Sequence, residues 1–264
     1  MATLRAIAER LDAVLRTGET PDYPTAVNGI QLENRADIRG VAVAVDCSQK
    51  TIDGAVATGA NLLIVHHGLL WGGVQPIRGA LYERLYRLLA SDVAVYSSHL
   101  PLDAHPELGN NVLLAGELGL VPNGSFARFQ GIAIGVRGES ALPTAEIVAR
   151  ADAFARRHGG RALATDFDPS RTTRRWGICT GGGASADTLR EAVTLGLDTL
   201  IVGEGPHWTA VDAPELGLAI VYAGHYATET LGVQALGRLV EREFALPWRF
   251  RRRAVTSGLA PSCV

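Results

Sequence analysis

Apolar runs of strand length alternate with segments of helical spacing along most of the chain. Residues 40–46 (GVAVAVD), 61–65 (NLLIV) and 93–97 (VAVYS) read as strands, while 49–58, 79–91 and 109–118 space their apolar positions as helices do. Residues 126–136 read as one strand, and 143–158 as a helix stopped by Gly159-Gly160. Strands follow over 176–180, 199–202 and 218–223, with helices over 186–195 and 227–244. Short β runs separated by helices predict βαβ units and a mostly parallel sheet, an α/β fold. Near the N-terminus, Arg5, Glu9 and Arg10 sit inside an amphipathic helical pattern, which does not read as a secretory leader.

The halves share letters as well as rhythm. Residues 55–68 read AVATGANLLIVHHG and residues 192–205 read AVTLGLDTLIVGEG; they align without a gap, and His67 falls on Glu204. Residues 93–103 (VAVYSSHLPLD) align with 219–229 (AIVYAGHYATE), so that His99 falls on His225 and Asp103 on Glu229. The expectation is an internal duplication of a β-α-β-α-β unit, its period too long for a solenoid. An N-terminal lobe over 1–125 and a C-terminal lobe over 126–264 would pack about a pseudo-two-fold axis, with a shared cleft between them. Ligands in α/β sheets lie beyond the carboxyl ends of the strands, so matching strand ends would face that cleft.

Composition changes this picture little. A 47% hydrophobic, 20% charged chain has ample material for a core, and a net charge of −2 gives no global field favouring nucleic acid or a membrane. No apolar run approaches the ~18 residues of a transmembrane helix. Cys47, Cys179 and Cys263 are far apart and form no CxxC pair, which argues against a thiolate site and fits a reducing, cytoplasmic setting. Residues 249–253 (RFRRR) read as a solvated basic edge, with a polyanion contact as the alternative.

Imidazoles and carboxylates concentrate just after the apolar strands. His66 and His67 directly follow an apolar run; neighbouring side chains of an extended chain point to opposite sides, so both cannot pack in the core. They read as metal ligands, or otherwise as polar residues at a strand end. His99 and Asp103 share a segment in which Pro101 predicts a loop and not a regular helix, and Asp103 alone would pass for a turn former. His225 and Glu229 lie at i and i+4 where a helix begins, a spacing that suits a metal; Glu229 as a simple helix-start acid is the alternative. Glu204 and His207 sit where the second repeat should place its counterpart of the histidine pair. A substrate-facing or supporting role suits them better than ligation. Residues 181–185 (GGGAS) link a strand to a helix, as a tight turn or as an anion cradle. His158 fits a helix end and His105 a loop.

Residues 27–31 (VNGIQ), 64–68 (IVHHG), 98–104 (SHLPLDA), 203–207 (GEGPH) and 224–233 (GHYATETLGV) together resemble the Nif-three-like dinuclear metal centre family, often labelled GTP cyclohydrolase I type 2. The chain resembles the short form, without the regulatory domain that some relatives insert between the halves. It departs from the family at Glu204, where Asp is frequent, and at Leu100, where Thr is frequent. The resemblance implies two divalent metal ions (zinc, iron or manganese) held by His66, His67, Asp103, His225 and Glu229, with Glu229 bridging. It also implies a ring-shaped homohexamer. The expected function is a metal-dependent hydrolase acting on a nucleotide or another small phosphorylated or cyclic-amide substrate. His99 would be the general acid or base, pointing at the ions without holding one, and Glu204 and His207 are reserve candidates for that role. The competing expectation is a non-catalytic metal-binding scaffold, metallochaperone or regulatory partner.

Overall fold

A computed structural model describes residues 2–252. Cys263 and Arg253 lie outside the described residues. The chain folds as two compact units, residues 2–102 with 232–252 and residues 103–231. Among the described residues no helix is long and apolar enough to cross a membrane.

In the first unit, α1 (Leu4–Leu15) is followed by β1 (Gly29–Leu32), β2 (Val41–Asp46), α2 (Gln49–Ala57), β3 (Leu62–His67), α3 (Ala80–Ala90) and β4 (Ala94–Ser97). A short helical turn, α4 (Leu100–Asp103), leads out of the unit. The described strands form a sheet of order β1-β4-β3-β2-β11, where β11 is Trp248–Phe250 near the other end of the chain. Strands β4, β3, β2 and β11 are parallel, and β1 is antiparallel to β4. Every residue of β2 and β3 is buried up to the last, as expected of parallel strands covered on both faces. Thr3 and Ser48 cap α1 and α2, each cap typically worth about 1 kcal/mol. Tyr96 donates to Asp12 at 2.7 Å and so pins α1 to β4.

The second unit contains α5 (Asn110–Glu117), β5 (Pro122–Phe129), β6 (Ile132–Pro143), α6 (Thr144–Arg157), β7 (Leu163–Ala164), β8 (Thr172–Cys179), α7 (Ala186–Thr194), β9 (Thr199–Val202), α8 (His207–Glu215), β10 (Ala219–Tyr222) and α9 (His225–Thr228). Its described strands are ordered β5-β6-β8-β9-β10-β7. The β8-β9-β10 triplet is parallel, and the flanking strands are antiparallel. The middle strands β3 and β9 thus hold like positions, each second in a parallel triplet linked by helices. α10 (Thr230–Phe244) carries the chain back to the first unit, where Arg10 of α1 meets Glu243 at 2.6 Å.

Three elements differ from the sequence expectation, and the basic segment, a solvated edge as expected, also forms a strand. Residues 126–136 are not one strand but parts of the hairpin β5–β6, which turns at Gln130 (φ +46) and Gly131 (φ +92). Positive φ at both central residues is the geometry of a type I′ turn, one of the two favoured in two-residue hairpin loops. Pro101 does not prevent α4, because proline is tolerated in the first turn of a helix, where its missing N–H has no partner to lose. The expected helix over 227–244 is interrupted at Glu229 (φ −103, ψ 4), which ends α9 before α10 begins. The basic segment from Arg249 begins inside a strand: β11 pairs with β2, and Arg251 N–H donates to Val43 O at 2.8 Å. That pairing returns the C-terminal segment to the N-terminal unit. A lobe boundary at 125/126 would cut β5.

Candidate metal centre

In the first unit, adjacent parallel strands end side by side, and their carboxyl ends carry the polar residues. Asp46 ends β2 in register with His67 of β3, and His99 follows β4. His66 is fully buried, His67 half-buried and His99 buried. Each imidazole commits Nδ1 to an oxygen: His66 to Ser98 O at 2.9 Å, His67 to Asp46 Oδ1 at 3.0 Å and His99 to Asp22 Oδ1 at 2.8 Å. A carbonyl or carboxylate oxygen only accepts, so Nδ1 carries the proton in all three and Nε2 is the basic nitrogen. The three rings offer nitrogens within 4.8 Å of one another. Metal-ligating histidines are commonly oriented by such a bond on the opposite ring nitrogen.

Asp22 anchors this arrangement. Its carboxylate accepts from His99, from Tyr23 N–H at 2.7 Å, from Asn28 Nδ2 at 2.8 Å and from Leu100 N–H at 2.9 Å. Burial alone would raise its pKa, but the bonds and charge of His99, with those of Asn28 and Leu100, outweigh burial and hold it below the usual carboxylate range. Asn28 Oδ1 also accepts from His99 N–H at 2.7 Å, which fixes the histidine backbone. The VNGIQ segment thus acquires a physical role as the brace of His99.

In the second unit, β8, β9 and β10 likewise end together, and the ladder runs past them: Glu204 N–H donates to Gly181 O at 2.8 Å and Gly224 N–H to Gly203 O at 2.9 Å. His225, half-buried at the start of α9, contacts Glu204 Oε1 through Nδ1 at 2.8 Å and buried Glu229 Oε1 through Nε2 at 3.0 Å. Burial pushes the His225 pKa down, but the two carboxylates win, first Glu229 and then Glu204, and raise it to about 9. Asp103, also buried, accepts from Asn110 Nδ2 at 2.8 Å.

The glycine turn after β8 serves this carboxylate. Gly181 adopts φ +62, and a Cβ there would overlap Glu229 Oε1, while one at Gly183 would collide with Cys179 O. The turn is therefore tight by necessity, with its backbone against Glu229. Gly181→Ala is expected to displace the Glu229 carboxylate and, with the positive φ, to destabilise the turn. Metal retained after dialysis should fall several-fold in that variant; retention equal to the wild type would refute the close-packing role.

The other sequence candidates lie as follows. Glu204 is exposed and orients His225, while His207 is exposed at the start of α8 and belongs to neither cluster that could hold an ion among the described residues. His105 Nδ1 accepts from Glu107 and Leu108 N–H and caps a turn. His158 closes α6, its Nδ1 on Phe154 O at 3.0 Å. Cys47 and Cys179 are buried, burial pushes each thiol up to about 12, and among the described residues neither belongs to a cluster that could hold an ion. The donor set is thus imidazole and carboxylate, which suits zinc, iron or manganese. Asp22, Asp46, Asn28 and Asn110 are participants that sequence reasoning did not single out for these roles.

The sequence profile of the Duf34/NIF3 (NGG1p interacting factor 3) family matches residues 2–257. A Deinococcus radiodurans protein named GTP cyclohydrolase 1 type 2 homolog is 40% identical over 240 residues, covering 91% of this chain and 89% of its own. Its namesake in Escherichia coli is 37% identical over 233 residues, covering 87% and 90%. Among solved structures, protein ybgI, described as of unknown function, superposes with a TM-score of 0.84 at 35% identity over 94% of this chain and 97% of its own. TTHA1606 from Thermus thermophilus does so with a TM-score of 0.81 at 33% identity over 95% and 98%.

Proposed function

The chain belongs to the Duf34/NIF3 family, and on that premise we propose that it binds two divalent metal ions and acts as a metal-dependent hydrolase. The ligands in this reading are His66, His67, Asp103, His225 and Glu229, with Glu229 serving both ions. The substrate is a nucleotide or another small phosphorylated or cyclic-amide compound, and the names of the relatives make GTP the first to test. The observation that carries the reading is the common tautomer of the strand-end imidazoles: His66, His67 and His99 each hold Nδ1 on an oxygen and keep Nε2 as the basic nitrogen.

Ions held there would supply Lewis acidity, activating water and polarising the group under attack. The protein's own residues supply the rest. Asp22 holds His99 in one tautomer, so that Nε2 can take a proton from one reacting group and return it to another. Glu204 orients His225 through Nδ1. His207, exposed at the head of α8, faces solvent where a substrate could meet it.

A turnover screen of metal-loaded protein against GTP, phosphoesters and lactams tests this reading, with His67→Ala as the control. The expected result is turnover of one class by the wild type, with metal content and rate both lost in the variant. Full metal content with no turnover of any class would sink the hydrolase and leave a metal-binding scaffold.

A further inference from the structure

Two aromatic side chains stand beside His67 and His99 and have no part in the chemistry above. The Trp71 ring centroid lies 5.2 Å from that of His67 and 4.7 Å from that of His99, the second contact edge to face. Tyr23 meets Trp71 edge to face at 6.4 Å and lies 6.0 Å from His99. Both rings stay open to solvent, Trp71 at 37% and Tyr23 at 50%. Burying a large ring is favourable, so rings that served only to pack the imidazoles would be expected to lie deeper.

The loops that carry the two rings are fixed to each other. Gln31 accepts from Leu69 N–H at 2.7 Å and Leu70 N–H at 3.3 Å, and its amide donates to Ala26 O at 3.0 Å and Val27 O at 2.8 Å. One side chain therefore ties the backbone leading to Trp71 to the backbone following Tyr23. Gly68 completes the fit, since any Cβ there would collide with the Gln31 amide. Tyr23 N–H is tied to Asp22, the residue that holds His99. Val27 is held at φ +43, a left-handed conformation that β-branched residues rarely adopt. Such strain persists where surrounding contacts fix it, and it clusters at ligand-binding sites.

Two partly open aromatic rings on loops tied to each other, beside imidazoles, favour one kind of occupant. A planar unsaturated ring gains from stacking on them, and an aliphatic or sugar moiety gains much less. We propose that Trp71 and Tyr23 form a stacking subsite that selects substrates bearing a planar heteroaromatic ring and holds that ring next to His67 and His99. The subsite names the substrate class of the hydrolase proposed above and rests on that reading for its meaning, although the stacking is measurable without turnover.

Calorimetric titration with guanosine 5′-monophosphate and with ribose 5-phosphate, which keeps the sugar and phosphate but lacks the ring, tests the subsite. The wild type should bind the nucleotide about tenfold or more tightly than the ring-less probe, the scale of one stacked base. Trp71→Leu keeps an apolar side chain against the imidazoles. It should lose most of that margin, with metal content and ribose 5-phosphate affinity unchanged. Trp71→Phe should keep most of the margin. A wild type with no preference for the ring, including one that binds neither probe, overturns the proposal, as does a Trp71→Leu variant that discriminates as well as the wild type. A changed oligomeric mass of Trp71→Leu in light scattering would assign the pair to a contact between copies and overturn it too. A wild type that takes up no metal sinks the hydrolase reading instead; the ring margin can still be read on that protein.

Discussion

Glu229→Ala is expected to strip the protein of most of its metal, from about two equivalents per chain in the wild type, because in the proposed site this one carboxylate would serve both ions. Glu229 is 2% exposed and ends α9 with Oε1 at 3.0 Å from His225 Nε2. Two roles are open to a buried acid in that position, and they predict opposite outcomes. In the ion-free protein the two carboxylates raise the His225 pKa to about 9 against the opposing effect of burial. At neutral pH the ring therefore carries a proton that any ion taking its nitrogen must displace. Removing Glu229 removes the stronger raising partner, so the His225 pKa falls and proton competition weakens. Were Glu229 merely a tuner of His225, the alanine variant would bind metal at least as well at pH 7. As a ligand, its loss outweighs that gain and metal content collapses. Elemental analysis together with an NMR titration of His225 in ion-free protein separates the two. A lowered pKa with unchanged or higher metal content would remove Glu229 from the ligand set.

The elements that position this chemistry are those the sequence displays most openly. Parallel strands buried on both faces must be continuous apolar runs, so 40–46, 61–65 and 199–202 stand out, and the polar letters that break each run mark the strand's carboxyl end. His66, His67 and Glu204 are read directly in that way. Asp46 was equally legible, as the acid that closes GVAVAVD, and its pairing with His67 follows once β2 and β3 are neighbours. His99 and His225, which the sequence alignment pairs, each follow the third strand of a parallel triplet and stand at the head of a short helical turn.

What stayed hidden is set by contacts distant in sequence or by backbone detail. Asp22 lies 77 residues from His99, in a polar loop with no periodicity to announce it. The hairpin turn at Gln130-Gly131 hides because glutamine is an uncommon choice for positive φ, so an apolar rhythm running through it reads as a single strand. The break at Glu229 leaves no mark in the helical pattern, since one residue leaves helical geometry and the apolar spacing resumes at once. Pro101 misled in the opposite direction: its position in the first turn of a four-residue helix, and not its presence, decides whether it disrupts.

His99→Ala is expected to keep its metal and to lose on the order of 10²-fold in turnover, the usual contribution of a general acid or base. Geometry alone does not separate His99 from its neighbours, since His66, His67 and His99 offer nitrogens within 4.8 Å of one another. Nor does a proline-containing loop set it apart, because α4 gives the segment a helical turn as α9 does for His225. The distinction rests on the partner of Nδ1. His66 leans on a neutral carbonyl, and His67 on Asp46, whose side chain is 32% exposed and screened by water. His99 leans on Asp22, 6% exposed and locked by three further donors, so its charge acts at short range with little screening. A buried carboxylate in that position stabilises the imidazolium that forms when Nε2 accepts a proton and fixes the tautomer that does so. Asp22→Asn should therefore reproduce much of the rate loss at full metal content, because His99 has lost the carboxylate that fixes its tautomer and orientation. Metal analysis on both variants decides the assignment. Loss of metal from His99→Ala would make His99 a further ligand beside His66 and His67, and full metal with full activity would remove it from the mechanism.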